Sequence, residues 1–144
     1  MRRLREDVHI HGLPGDVYGH LFCLDGARAW LPPAFTAIEA GANALSFVLT
    51  LPMRTERARL TVATDEPPTY LEFAAADGPG GIELLAWALN PEGARDVHVT
   101  VEAGYQPAGG VLGWLLEETV HRPLRRQAFR DALWRLKLLV EGQG

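Results

Sequence analysis

Hydrophobic and polar residues alternate with a period of two over much of the chain before residue 105. This pattern is typical of half-buried strands, and it predicts a first strand at about 5–12, in which Val8 and Ile10 point inward. About six consecutive strands follow in the prediction, at Phe35–Ala40, Leu45–Leu51, Arg57–Val62, Tyr70–Ala76, Ile82–Leu89 and Val97–Glu102.

The predicted strand at Ile82–Leu89 is unusual because it does not alternate. Glu83 is its one charged residue, so periodicity leaves its inward face open. Asn90–Gly93 follows directly and is made of residues common in turns, which predicts that the strand ends there.

Helical spacing of apolar residues occurs in three places. Two short helices are predicted at 15–24 and about 26–31, the second ended by the two prolines that follow it. The longest helical pattern runs from Gly109-Gly110 to about Val140, and it carries two apolar faces rotated by roughly a quarter turn from each other. Pro123 lies between these faces, so a kink or a break is expected there.

This order of elements predicts an α+β fold in a single domain, residues 1–144. Consecutive strands with turn-like connections favour an antiparallel meander. A strongly curved sheet of about seven strands can wrap around the one long C-terminal helix, with the two short helices after the first strand. We expect a cavity between the sheet and the helix.

Four segments resemble the START / Bet v 1-like superfamily, also called SRPBCC or helix-grip proteins. They are His9–Tyr18, Leu24-Asp25 with Trp30-Leu31-Pro32, Asn90–Gly93 leading into Val97–Glu102, and Leu133–Glu141. The resemblance is strongest to the bacterial polyketide cyclase/dehydrase-like and lipid-transport-like branch. It implies the helix-grip fold and a pocket for an apolar molecule, but a shared fold does not settle function.

Composition excludes several classes of protein. The single cysteine excludes an internal disulfide, an iron–sulfur cluster and a CxxC zinc site, and the single serine and single lysine leave no serine-hydrolase elbow and no P-loop. The net charge of −4 argues against nucleic-acid binding. No export signal or membrane span is visible, so we expect a cytoplasmic protein, and no cofactor is expected.

The resemblance implies that some apolar strand residues line the pocket, with aromatic side chains near its mouth. The predicted lining residues are Trp30, Phe35, Phe47, Leu49, Leu60, Phe73, Trp87, Val99, Tyr105 and Trp114. The candidate polar or anion contacts are His98, His121, Arg122 and Arg126. No residue is assigned a catalytic role.

The basic residues near Pro123 and the histidines on the strands also have a simpler interpretation, as groups exposed to solvent. The basic residues around Pro123 also fit a solvated helix face balanced by acidic residues at helical spacing. The basic residues are His121, Arg122, Arg125, Arg126 and Arg130, and the acidic ones are Glu117, Glu118 and Asp131. His98 lies on the outward face of its predicted strand and enters the cavity only if the pleat is reversed. His9 and His11 also point outward, and no metal site is predicted for them.

Three hypotheses for function follow. The first is a module that binds a small hydrophobic ligand. The second is a cyclase, aromatase or dehydratase of the polyketide type, for which Tyr70, Tyr105, His98 and Arg54 are the candidate polar groups. The third is an interaction or dimerisation module, in which part of Ile82–Leu89 packs on a second subunit.

Overall fold

The computed structural model describes residues 2–22, 27–41, 43–76, 81–107 and 109–142. Within these ranges seven strands form one antiparallel sheet that is curled into a half-barrel. The strands are β1 (Arg2–His11), β2 (Phe35–Ala40), β3 (Ala44–Leu51), β4 (Arg54–Glu66), β5 (Tyr70–Ala75), β6 (Ile82–Gly93) and β7 (Asp96–Tyr105). The predicted α+β class and the predicted curved sheet are confirmed.

The strands lie in the order β1-β7-β6-β5-β4-β3-β2. β2 to β7 form the predicted meander, whereas β1 pairs with β7, so the first two strands lie at opposite edges of the sheet. α1 (Pro14–Phe22) and α2 (Ala27–Trp30) are the helices between these two edge strands. The last two residues of the predicted helix 15–24 and the first of the predicted helix 26–31 lie outside the described residues.

The predicted turn at Asn90–Gly93 is wrong. β6 continues through Gly93, with a bulge between Pro91 and Gly93, and the turn lies at Ala94-Arg95. A proline is tolerated in a strand where a bulge interrupts the ladder, because its missing N–H is not needed there. A second bulge, between Ile82 and Leu84, places Ile82, Leu85, Trp87 and Leu89 among the buried residues.

The C-terminal helix is continuous over 33 residues but changes its winding. α3 (Gly110–Leu116) passes into a five-residue π turn (Glu117–His121), and α4 (Arg122–Gly142) follows. The wider turn lies directly before Pro123, whose ring would clash with the preceding turn of a regular α-helix. Its extra residue rotates α4 by about a quarter turn relative to α3. The second of the two apolar faces in the sequence is buried, whereas Leu112 and Leu115 of the first are exposed.

The core lies between the concave face of the sheet and α4. Phe129, Leu133, Leu136 and Val140 of α4 are buried against it. A side chain on Gly12 would lie 2.9 Å from Val140 Cγ1, so a glycine is needed where the chain leaves β1 beside the end of α4. Among the described helices, none has the length and apolar character needed to cross a membrane.

Candidate functional site

An aromatic cluster occupies the interior between α2, the sheet and α4. The rings of Trp30 and Trp87 meet edge to face with centroids 5.3 Å apart. Phe35 makes the same type of contact with Phe47 at 5.0 Å and with Phe129 at 5.6 Å. The Trp87 Nε1–H group is buried and has no hydrogen-bond partner within the described ranges. The cluster therefore contains a free donor inside an apolar environment.

Nine of the ten predicted lining residues are buried in the core: Trp30, Phe35, Phe47, Leu49, Leu60, Phe73, Trp87, Val99 and Tyr105. The tenth, Trp114, lies on α3 and is 59% exposed. The structure places it on the outside of the C-terminal helix, apart from the aromatic cluster.

A buried ionic cluster lies where the π turn faces the sheet. The Arg125 guanidinium donates from Nη1 to Glu56 Oε1, and from Nη2 to Glu56 Oε2 at 3.0 Å and to Glu117 Oε1 at 2.8 Å. All three side chains are fully buried. Arg125 also stacks on the Tyr105 ring, with Cζ 3.7 Å from its centroid. Arg54 donates to Glu56 from the other side at 2.8 Å.

Tyr105 extends this cluster toward the surface. Its hydroxyl donates to Glu117 Oε2 and accepts from Arg122 Nη1, both at 3.0 Å. Burial and the nearby Glu117 carboxylate raise the pKa of the Tyr105 hydroxyl, because both disfavour the phenolate. Tyr105 therefore stays neutral, and it links the half-buried Arg122 to the interior.

The charges of the cluster largely satisfy one another. Burial lowers the pKa of Arg125, but hydrogen bonds to Glu56 and Glu117 more than offset that effect, so its pKa lies above the ordinary value. Arg125 is thus a permanent cation bound by two carboxylates. The cluster joins β4 to the π turn, and it leaves little of the Arg125 charge for an external anion.

The remaining member of this region is His121, which is fully buried. Its Nε2 donates to the Pro52 carbonyl at 2.8 Å, so the turn between β3 and β4 lies against the π turn. Within the described residues its Nδ1 has no partner. The interpretation of the basic residues as a solvated face is therefore wrong for His121 and Arg125.

Two candidate polar contacts lie away from the interior. His98 is on the outer face of β7, 2.5 Å from Asp7 and 3.3 Å from Glu92, so the reversed pleat that would bring it into the cavity is wrong. Arg126 is bound to Glu6 on β1 at 3.2 Å. The proposed anion contacts through these two residues are thus occupied by carboxylates of the chain.

His9 and His11 lie on the outer face, as predicted. Both rings approach Asp96 Oδ1, at 3.1 Å and 2.9 Å. The His11 contact is the largest of the effects that lower the pKa of Asp96. Across the described parts of the chain, no group of three histidine, cysteine or acidic side chains is arranged to hold a metal ion.

Sequence reasoning missed the acidic half of the ionic cluster. Glu56 has the same parity along its strand as the buried Ala58 and Leu60, so alternation already places a carboxylate on the inner face. Glu117 lies four residues before His121 and eight before Arg125, which puts all three on one helical stripe. These two spacings were the available indications.

A cavity of about 470 Å³ lies at the β2 side of the sheet, where β2, β3 and β4 meet. Its lining residues are Glu39, Ala40, Gly41, Ala44, Leu45, Ser46, Arg59, Leu60, Thr61 and Ala76. Strand pairing places Glu39, Ser46 and Arg59 on one face, opposite the buried Leu45 and Leu60. The cavity therefore involves the outer face of the sheet and is distinct from the aromatic cluster.

Comparison with known proteins identifies the fold. No protein-family model and no curated protein sequence matches the chain. Among solved structures, protein TTHA0849 from Thermus thermophilus is 19% identical with a TM-score of 0.80, covering 99% of each chain. A START superfamily protein from Mycobacterium smegmatis is 11% identical with a TM-score of 0.68, covering 95% of this chain and 98% of that one. The Aha1 dimer from Colwellia psychrerythraea is 15% identical with a TM-score of 0.65, covering both chains completely.

At these identities the similarity concerns the fold. The protein has the helix-grip fold of the START and Bet v 1-like proteins, which the four sequence segments implied. Proteins of this fold generally bind hydrophobic ligands.

Proposed function

We propose that the protein binds a small hydrophobic ligand between the concave face of the sheet and α4, beside Trp30 and Trp87. The observation that carries the proposal is the buried Trp87 N–H without an acceptor in the described ranges. A buried donor left unpaired costs about 1–3 kcal/mol, and a ligand oxygen would remove that cost. The ligand is therefore an apolar molecule with a hydrogen-bond acceptor, such as a lipid, a sterol-like or a polyketide-like molecule.

The surroundings of this donor support the proposal. Trp30 of α2 meets Trp87 of β6 edge to face, and Phe35 of β2 meets Phe129 of α4 in the same way. Flat rings of this kind suit a flat apolar ligand, which can take the place of one ring-to-ring contact. Binding then requires a shift of α2 or of the start of β2 away from α4.

The ionic cluster favours ligand binding over catalysis. A polyketide cyclase would use polar groups such as Tyr105, His98 and Arg54 on a substrate carbonyl, but His98 is bound to Asp7 and Arg54 to Glu56. Tyr105 is fully buried and already hydrogen-bonded to Glu117 and Arg122. Tyr70, another candidate, donates to Glu72 at 2.6 Å. These groups are engaged within the chain, so the proposal does not extend to a reaction.

Two matched probes test the proposal. Naphthalene and 2-naphthol share a ring system, and only 2-naphthol carries an oxygen. We expect both to quench tryptophan fluorescence on binding. 2-Naphthol should bind roughly two- to tenfold more tightly through the Trp87 N–H, because its oxygen loses contacts with water on binding and the net gain from the hydrogen bond is then about 0.5–1.5 kcal/mol. Trp87→Phe keeps an aromatic ring, removes the donor and should abolish the difference.

Trp114→Phe is the matched control, because it makes an equivalent change at an exposed position and should preserve the difference. Mass spectrometry of the denatured protein would identify any hydrophobic molecule that copurifies with it. Binding of neither probe, or equal binding of both by the unmodified protein, would contradict the proposal.

A further inference from the structure

An apolar surface lies at the end of the molecule where the C-terminal helix begins. Four of the seven residues of α3 are large, apolar and exposed: Val111 and Leu112 at 82%, Trp114 at 59% and Leu115 at 49%. The buried residue of this helix is Gly113. α3 contacts mainly the π turn that follows it, and it makes few contacts with the sheet. A helix that packs on its own domain buries its apolar face, whereas α3 exposes it.

Met53 belongs to the same surface. It lies in the turn between β3 and β4 and is 86% exposed. The Pro52 carbonyl accepts from His121, and Arg54 Nη2 donates to the Gln106 carbonyl at 2.7 Å, so this turn lies at the α3 end of the molecule. We call Met53, Val111, Leu112, Trp114 and Leu115 the apolar cap.

The backbone at Met53 follows from the turn it occupies. Leu51 pairs with Arg54, so Pro52 and Met53 are the two central residues of the turn, and Met53 has φ +59°, the positive value that the second central position of a type II turn requires. Glycine or asparagine is favoured there over a residue with a long side chain. The Met53 side chain is exposed and contributes nothing to the core.

We propose that the apolar cap is the interface through which two copies of this chain associate. The five side chains expose on the order of 700 Å², close to the roughly 800 Å² that each partner buries in a standard interface. It also exceeds the few hundred Å² that is ordinary for an exposed apolar patch. A surface of this size and composition matches the apolar core of a homodimer interface.

The distribution of charge favours a second copy of the chain, rather than a membrane, as the partner of the apolar cap. α3 contains no charged residue, so two copies related by a twofold axis bring no like charges together across it. Glu118, two residues after α3, is paired with Arg2, and this pair is neutral as a unit. Helices that bind anionic membranes have Lys and Arg on the polar side of the helix, and α3 has none.

The Ile82–Leu89 run, in which an interface was first expected, is an unsuitable surface. β6 lies between β5 and β7, and Leu85, Trp87 and Leu89 are buried in the core. Its apolar character is thus explained by burial within the chain.

Sedimentation velocity of the full chain over a wide concentration range tests the proposal. We expect a dimer at about 100 µM that dissociates on dilution. Leu112→Glu should shift the protein to monomer with an unchanged circular dichroism spectrum, because the side chain is exposed. Leu138→Glu is the matched control on α4, where Leu138 is 55% exposed but outside the cap, and it should still dimerise.

Met53→Gly separates loss of the interface from loss of folding, because the two effects are expected to have opposite signs. Relief of the positive φ should raise the melting temperature, while loss of the side chain should weaken association several-fold. A monomer at all concentrations would overturn the proposal, and so would equal loss of the dimer in Leu138→Glu. A monomer that cosediments with phosphatidylcholine–phosphatidylglycerol vesicles through Leu112 would overturn it in favour of a membrane surface.

Discussion

Replacement of Arg125 by methionine should be among the most damaging single changes in this protein. Arg125 makes three hydrogen bonds to the carboxylates of Glu56 and Glu117, and all three side chains are fully buried. Methionine fills much of the same space but removes the cation that two buried carboxylates share, which leaves Glu56 with Arg54 and leaves Glu117 with the neutral Tyr105 hydroxyl and no cation. Removing one partner of a buried ion pair costs about 3–5 kcal/mol, a large part of the ~5–15 kcal/mol that stabilises a typical domain.

The assay is urea denaturation followed by circular dichroism. With a slope of about 2 kcal/mol per molar urea, a loss of about 4 kcal/mol moves the midpoint down by roughly 2 M. Glu56→Gln combined with Arg125→Met should be less damaging than Arg125→Met alone, since one of the two buried negative charges that Arg125 balanced is then removed as well.

Arg130→Met provides the control. Arg130 is 57% exposed and contacts Glu6 at 3.1 Å, so its loss should cost no more than about 1 kcal/mol. If Arg125→Met were no more destabilising than Arg130→Met, the cluster would not hold the π turn to the sheet, and the reasoning above would be refuted.

Three further predictions concern stability. Gly12→Ala should lower the melting temperature, because its Cβ would lie 2.9 Å from a side-chain atom of α4, whereas Gly19→Ala, with open space around it in α1, should raise stability by about 0.5–1 kcal/mol. The hydrogen bond from Tyr70 to Glu72 raises the pKa of Tyr70 to about 12. The contribution of this bond to stability is therefore complete below pH 10 and is lost as the pH rises through 12. Ultraviolet titration of Glu72→Gln should show one tyrosine ionising at a lower pH than in the unmodified protein. Hydrogen bonds from Lys137 and from the His11 backbone N–H lower the pKa of Glu141. The contribution of Glu141 to stability is therefore present above pH 4.5 and is lost as the pH falls through the lowered pKa. Glu141→Gln should make the melting temperature less sensitive to acid.

Most of the fold could be predicted because the strands are half-buried. A period-two pattern states which residues point inward, as at Leu45–Leu51, and turn residues separate one strand from the next. The prediction failed at Asn90–Gly93 because a bulge lets proline and glycine remain in a strand, and bulges depend on pairing with the neighbouring strand. The inward face of Ile82–Leu89 depended on a bulge for the same reason.

The sequence by itself determined the class of fold, the single long helix and the position at which that helix is disturbed, since proline, glycine and hydrophobic periodicity act locally. The tertiary structure decided which charges are buried. Arg125 and Arg130 look alike in the sequence, yet one binds two carboxylates in the core and the other lies on the surface. The two residues are about 140° apart around α4, and packing decides which of these directions meets the sheet. Packing likewise leaves Leu112 and Trp114 in solvent, where a second chain can cover them.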